Sequence, residues 1–121
     1  MKLFGILALA TMPLGAGAGE RISITASPAV AFAPANLIVR AIIEANADNR
    51  AVEIVAESAD FYRSSQVQLE GDRAPRTTQF LFHSLPPGTY DVRATLIGPD
   101  GHQRALARQQ VNVIASGAGY R

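Results

Sequence analysis

The chain has no cysteine and no tryptophan, two histidines, and a single lysine, Lys2. Without cysteine there is no disulfide to restrict the unfolded chain and no lipid-anchor motif, so hydrophobic burial must supply a net stability of about 5–15 kcal/mol unaided. With Lys2 as its only lysine, the rest of the chain sets ten arginines against ten acidic residues, mixed in sign as in "RAVEIVAES" and "YDVRATLIGPDGHQR". That balance leaves no excess for the one-sided basic surface that nucleic-acid binding requires. Beyond the N-terminus no apolar run approaches the roughly 20 residues of a membrane-spanning helix.

The first residues, "MKLFGILALATMPLGAGAGE", place Lys2 before an apolar run from Leu3 to Leu14, a Pro-Leu-Gly break and Ala16-Gly17-Ala18. This is the layout of a secretory signal peptide. Cleavage is expected after Ala18, giving a leader at 1–18, one domain at 19–115 and a Gly/Ala-rich tail at 116–121. The product would be exported, periplasmic or extracellular, with no membrane span after cleavage. The 103 residues that follow the leader suit one core.

Beyond the leader the apolar period is two, not 3.6. "NLIVRAIIEAN" puts Leu37, Val39, Ala41, Ile43 and Ala45 on one face, and "RAVEIVAES" does the same with Val52, Ile54 and Ala56. The polar residues 46–49 between these runs predict a hairpin. "RISITAS" reads as an edge strand that bends or breaks at Pro28 and Pro34, because proline cannot donate to a ladder. "FYRSSQVQLEG", "RTTQFLFHSL", "TYDVRATLIG" and "HQRALARQQVNVI" complete about seven strands. Gln109 interrupts the apolar face of the last one, which predicts a bulge near Gln109-Gln110. The expected class is all-β, an antiparallel sandwich.

"LPPGTYDVRATLIGPDGHQRA", residues 85–105, carries the most specific pattern. The spacing of Leu85, Gly88 and Tyr90 resembles the tyrosine corner of immunoglobulin-like and fibronectin type III-like sandwiches. The resemblance implies that Leu85 plugs the end of the core, that Gly88 takes a conformation closed to most residues, and that Tyr90 latches the preceding connection by a hydrogen bond. Pro99, Asp100 and Gly101 would turn the chain at the other end, with Gly101 at positive φ. Val92 stands where the antibody pattern has its second cysteine, and the tryptophan of both families is missing. The resemblance therefore reaches the immunoglobulin-like superfold and no family within it, and such superfolds host unrelated functions.

Candidate chemistry is sparse. His83 and His102 fit no metal-ligand spacing and should lie at opposite ends of a sandwich, so no metal, cofactor or catalytic residue is assigned. Glu53 and Glu57 share one face of a strand, as on many solvated strands. Among the aromatics, Phe61 and Tyr62 cannot both point inward from a regular strand, which makes Phe61, Tyr62 and Arg63 the candidate partner contact. The expectation is a non-catalytic immunoglobulin-like module with a protein partner, or a structural role, at a bacterial envelope. A carbohydrate-binding module with a glycan partner is the alternative, and a small hydrolase ranks last.

Overall fold

The computed structural model describes residues 21–116; the expected leader (1–18), and the expected tail apart from Ser116, lie outside the described residues. Eight strands are present: β1 (Ile22–Ser27), β2 (Val30–Phe32), β3 (Ala35–Ile43), β4 (Ala51–Glu57), β5 (Tyr62–Gln68), β6 (Thr77–Leu85), β7 (Gly88–Ile97) and β8 (Gln103–Ile114). They form two sheets, β1-β3-β6 and β2-β8-β7-β4-β5. Every pairing is antiparallel except β2 with β8. Inward side chains of both sheets meet in one core that runs from Ile22 to Val113 and includes Phe80, Phe82, Tyr90 and Leu96.

The two-residue alternation in the sequence is the burial pattern of β3 and β7, while in β4 the outward Ala51 and Val55 are buried as well as the inward set. β3 alternates without a fault, with Leu37, Val39, Ala41 and Ile43 buried, while Ala45 lies past its end and is exposed. β7 buries Tyr90, Val92, Ala94 and Leu96. The first apolar run behaves as its prolines require. It breaks at Pro28, and β1 edges one sheet while β2 edges the other, which makes eight strands of the expected seven.

Two expectations are corrected. Residues 46–49 do not close a hairpin, because β3 pairs with β1 and β6 whereas β4 pairs with β5 and β7. The connection crosses between sheets, and Asn49, the one buried polar residue among the described residues, holds it. Its Nδ2 donates to Glu44 O at 2.9 Å, Arg104 Nη1 donates to its Oδ1, and its own carbonyl accepts from Gly71 N at 3.0 Å. Polar turn residues signal a change of direction but carry no information about which strand comes next alongside.

The second correction concerns Gln109. The β7–β8 ladder runs through it in register with Val92, and its bulge falls instead at Arg104. Gln109 stays inward without penalty because its amide acts as a strand. Ala26 N–H donates to its Oε1 and its Nε2 donates to Ala26 O, both at 2.9 Å. One side chain thus supplies the donor and acceptor that a ladder partner would supply to β1, and ties the two sheets along one seam. The other bulge lies in β6, where Ala35 faces Leu85 but Leu37 faces Phe82. The additional residue, with Ser84 at φ 58°, lets Phe82 and Leu85 both point inward across a three-residue step.

Replacing Gln109 by Ala leaves both Ala26 groups without that partner and should lower the unfolding free energy by about 1–3 kcal/mol in a urea titration. Gln109→Glu keeps the acceptor but sets a carboxylate against the Ala26 carbonyl. Its loss should shrink as pH falls and the carboxyl regains a donor; a loss independent of pH would refute the amide's double role.

Candidate functional site

The strands place the corner and the candidate contact segment in one cluster. Leu85 and Tyr90 are fully buried at the turn between β6 and β7, and the Tyr90 hydroxyl donates to Pro86 O at 2.7 Å. The Phe61 ring meets the Tyr90 ring edge-on, with centroids 6.3 Å apart and an interplanar angle of 77°. Arg63 places its guanidinium 5.0 Å from the Phe61 centroid. Residues 58–61 make this possible by turning tightly, with Ser58 N–H donating to Phe61 O at 2.8 Å. Sequence distance hid this stack; the only local signal was an aromatic pair that one strand face could not absorb.

Gly88 takes the conformation expected of it, a positive φ of 158° that L side chains rarely adopt, and a Cβ there would also be tight, 3.1 Å from Ser58 Cβ and 3.2 Å from Ser58 Oγ. The Ser58 Oγ is buried without a hydrogen-bond partner. Burial pushes the Tyr90 phenol above its ordinary value of 10.0, against smaller opposing effects from the Ser58 hydroxyl and the Arg63 charge. At the opposite turn, Gly101 has φ 78°, and Asp100 is left-handed as well at φ 62°. The sequence marked Gly101 for that conformation but not Asp100, although aspartate tolerates it. His83 lies on β6 near the corner and His102 beyond the far turn, both exposed, and no group of metal-ligating side chains occurs among the described residues.

Tyr62 faces the other way from Phe61. It is 56% exposed and pairs across β4 with Glu57, which in turn faces Asp91 on β7. Two carboxylates directly opposite would repel, as would Arg93 and Arg108 opposite each other on β7 and β8. The diagonals resolve both. Arg93 reaches Glu57 at 3.1 Å and Asp91 at 2.8 Å, and Arg108 reaches Asp91 at 3.0 Å. The hydrogen bond from Arg93 is the largest of the effects that hold the Asp91 carboxyl below its ordinary value of 3.8. A shallow recess of about 210 Å³ beside these groups is lined by Glu57, Ser58, Tyr90 and Gln110 among others.

The opposite surface, the outer face of β1-β3-β6, carries three exposed large apolar side chains among polar ones. Ile38 and Leu81 face each other across β3 and β6 and are 47% and 52% exposed; Ile42, also 47% exposed, lies further along β3. A recess of about 350 Å³ runs past them, lined by Thr25, Ser27, Arg40 and Gln79. Ile38 and Ile42 were visible in the sequence as apolar residues on the outward face of "NLIVRAII", a signal not pursued there.

No family model matches the chain, and no curated protein does. Among solved structures it is similar to a family 76 glycoside hydrolase from a bovine Bacteroides thetaiotaomicron strain, at 19% identity and a TM-score of 0.52, over 70% of this chain and 19% of that one. It therefore spans about a fifth of that enzyme. It is similar also to a superoxide reductase (neelaredoxin) from Ignicoccus hospitalis, at 12% identity and TM-score 0.52, over 79% of this chain and 82% of the other. A CARDB domain from Pyrococcus furiosus aligns at 15% identity and TM-score 0.46, over 78% of this chain and 92% of that one. At these identities the two likenesses with a TM-score of 0.52 concern the fold alone.

Two substitutions separate latch from packing at Tyr90. Tyr90→Phe should cost about 1 kcal/mol and Tyr90→Ala about 3–5 kcal/mol in denaturant titrations, and equal losses would overturn the corner geometry. Because the folded phenol titrates above the unfolded one, its contribution is complete below pH 10.0 and is lost as pH rises beyond it. Tyr90→Phe should therefore lack part of the alkaline decline.

Asp91 has the opposite sign. Its folded carboxyl titrates below 3.8, so the stability it contributes is present above that pH and disappears as pH falls through the lower folded value. In stability profiles from neutral pH to pH 2, Asp91→Asn should flatten this acid limb; an unchanged limb would place the acid sensitivity elsewhere.

Proposed function

We propose that the chain is an exported, non-catalytic immunoglobulin-like module that binds another protein at a bacterial envelope, through the outer face of β1-β3-β6. The observation that carries this reading is the exposed Ile38–Leu81 pair, with Ile42 further along β3 on the same face. Contiguous exposed apolar side chains on a sheet face cost solubility and are the usual mark of an interaction surface.

The immunoglobulin-like assignment is supported by strand order. With β1, β3, β4, β5, β6, β7 and β8 taken as A, B, C, C′, E, F and G, the sheets read A-B-E and G-F-C-C′, with β2 as an additional edge strand. The Tyr90 hydroxyl bonded to Pro86 O supports the tyrosine corner implied by the resemblance. Export rests on the leader pattern at 1–18.

A second reading, a glycan-binding surface, is favoured by Tyr62. Its ring is exposed beside Glu57 on the outer face of the five-stranded sheet, a combination of stacking platform and hydrogen-bond acceptor.

The two readings separate by mutation. In the source organism, Ile38→Glu with Leu81→Glu should abolish cross-linking of the partner while the denaturation midpoint is kept, and mature protein should be recovered from the periplasm or medium beginning at Gly19. Undiminished cross-linking would refute the face. Retention on insoluble glycan that is lost in Tyr62→Ala would establish the second reading instead.

A further inference from the structure

The seam that Gln109 ties together is open below it. A groove of about 490 Å³ runs between the free edge of β1 and the free edge of β8, lined by residues 21–24 and 104–108. It is closed at one end by the Gln109 amide on Ala26 and crossed at the other by Arg21 Nη1 donating to Arg104 O at 3.4 Å.

Both walls are strand edges without a partner. Asn112 N–H donates to Ala29 O, and Ile114 O accepts from Ala33 N–H, so even-numbered residues of β8 turn their backbone groups away from β7. By the period of the strand, Leu106 and Arg108 do the same, and β2 covers β8 only from Asn112 to Ile114. On β1, the groups of Ala26 face Gln109, so those of Ile24 and Ile22 face the groove as well. The floor is apolar, since Ile24, Ala105 and Ala107 pack partly buried against the core. The rim is cationic: Arg21, Arg104 and Arg108 line it and no acidic residue does. Arg108 shares Asp91 with Arg93, while Arg21 and Arg104 join no ion pair among the described residues.

We propose that this groove accepts an extended segment of another protein in which apolar and acidic side chains alternate. The segment's backbone would pair with Ile22 and Ile24 or with Leu106 and Arg108. Its apolar side chains would cover Ile24, Ala105 and Ala107, and its carboxylates would meet the three arginines. Along Arg21 to Ile24, at about 3.3 Å per residue, the groove admits roughly four residues. This site goes beyond the module proposed above and uses none of its Ile38, Ile42 and Leu81 surface.

Fluorescence anisotropy of the purified chain with a short labelled peptide of alternating valine and glutamate tests it. The peptide should bind in a saturable way that weakens as salt rises. Its lysine counterpart, and a glutamate version with alternate amides N-methylated, should each bind roughly tenfold more weakly or worse. Arg21→Ala and Arg108→Ala, both at exposed positions, should weaken binding while keeping the denaturation midpoint, and Leu81→Glu should leave it unchanged. Bound peptide should also slow hydrogen exchange at the Ile24 or the Leu106 and Arg108 amides. Equal binding of the acidic and basic peptides, no saturation at millimolar concentration, or indifference to N-methylation would overturn the proposal. Self-association of the chain that Arg21→Ala abolishes would assign the groove to a second copy and overturn it too. Loss of partner cross-linking in the Ile38 and Leu81 variant bears on the sheet face alone, so the two readings fail separately.

Discussion

A large aromatic ring with a polar tip, sealed at the end of a core that no disulfide holds, is the constraint on which this structure turns. Tyr90 is wholly buried, and its hydroxyl can be dry only because Pro86 O accepts from it. An unpaired buried hydroxyl would cost about 1–3 kcal/mol, a sizeable fraction of a small domain's net stability. The surroundings follow from closing that end. The β6 bulge at His83 and Ser84 returns Leu85 to the interior, Phe61 folds its ring edge onto Tyr90, and Ser58 packs closely on Gly88, whose positive φ few side chains adopt. Architecture and candidate contact site, separate in the sequence, are two sides of one plug.

The second organising problem is the strand edge. Two sheets of three and five strands have four edges, and β5 meets the problem by being polar and exposed along almost its whole length, with Arg63 at its start. β1 and β2 divide one run between two sheets at Pro28, so each edge is short. Where β1 and β8 approach, Gln109 substitutes for a strand at one position and leaves the rest open. An edge protected at a single point by a side chain, above a cationic unpaired stretch, differs from one blunted throughout. That contrast is why the seam rather than β5 is the place to look for an added strand.

Period-two patterning made most of the core legible: the inward sets of β3, β4 and β7 were assigned from the chain alone because one buried face leaves an unambiguous signature. What was not legible is pairing. The residues 46–49 look like any tight turn, yet the chain leaves one sheet for the other there, and the reason lies in Asn49, whose partners Glu44, Gly71 and Arg104 span most of the sequence. Gln109 looked like a fault in an apolar face because its partner, Ala26, lies on a different strand in a different sheet. A polar residue on an inward face is thus ambiguous between bulge and bridge until the opposing backbone is known. The same limit hid the Phe61–Tyr90 stack.

Both sheets carry apolar side chains on their outer faces, and strand propensity explains only part of this. Isoleucine favours strands whether or not it is buried, so Ile38 and Ile42 could owe their place to the backbone. The five-stranded sheet mixes the two habits: Glu53, Glu57, Asp91, Arg93, Thr95 and Arg108 stand outward with their charges paired, while Tyr62 on β5, Leu106 and Ile114 on β8, and Val30 and Phe32 on β2 are exposed apolar or aromatic side chains. Leu81 is the telling residue on the three-stranded sheet: leucine is not branched at Cβ and gains less from the strand backbone than isoleucine, yet it stands 52% exposed directly across from Ile38. Two neighbouring strands have placed apolar side chains against each other on the side away from the core, where no other described residue buries them.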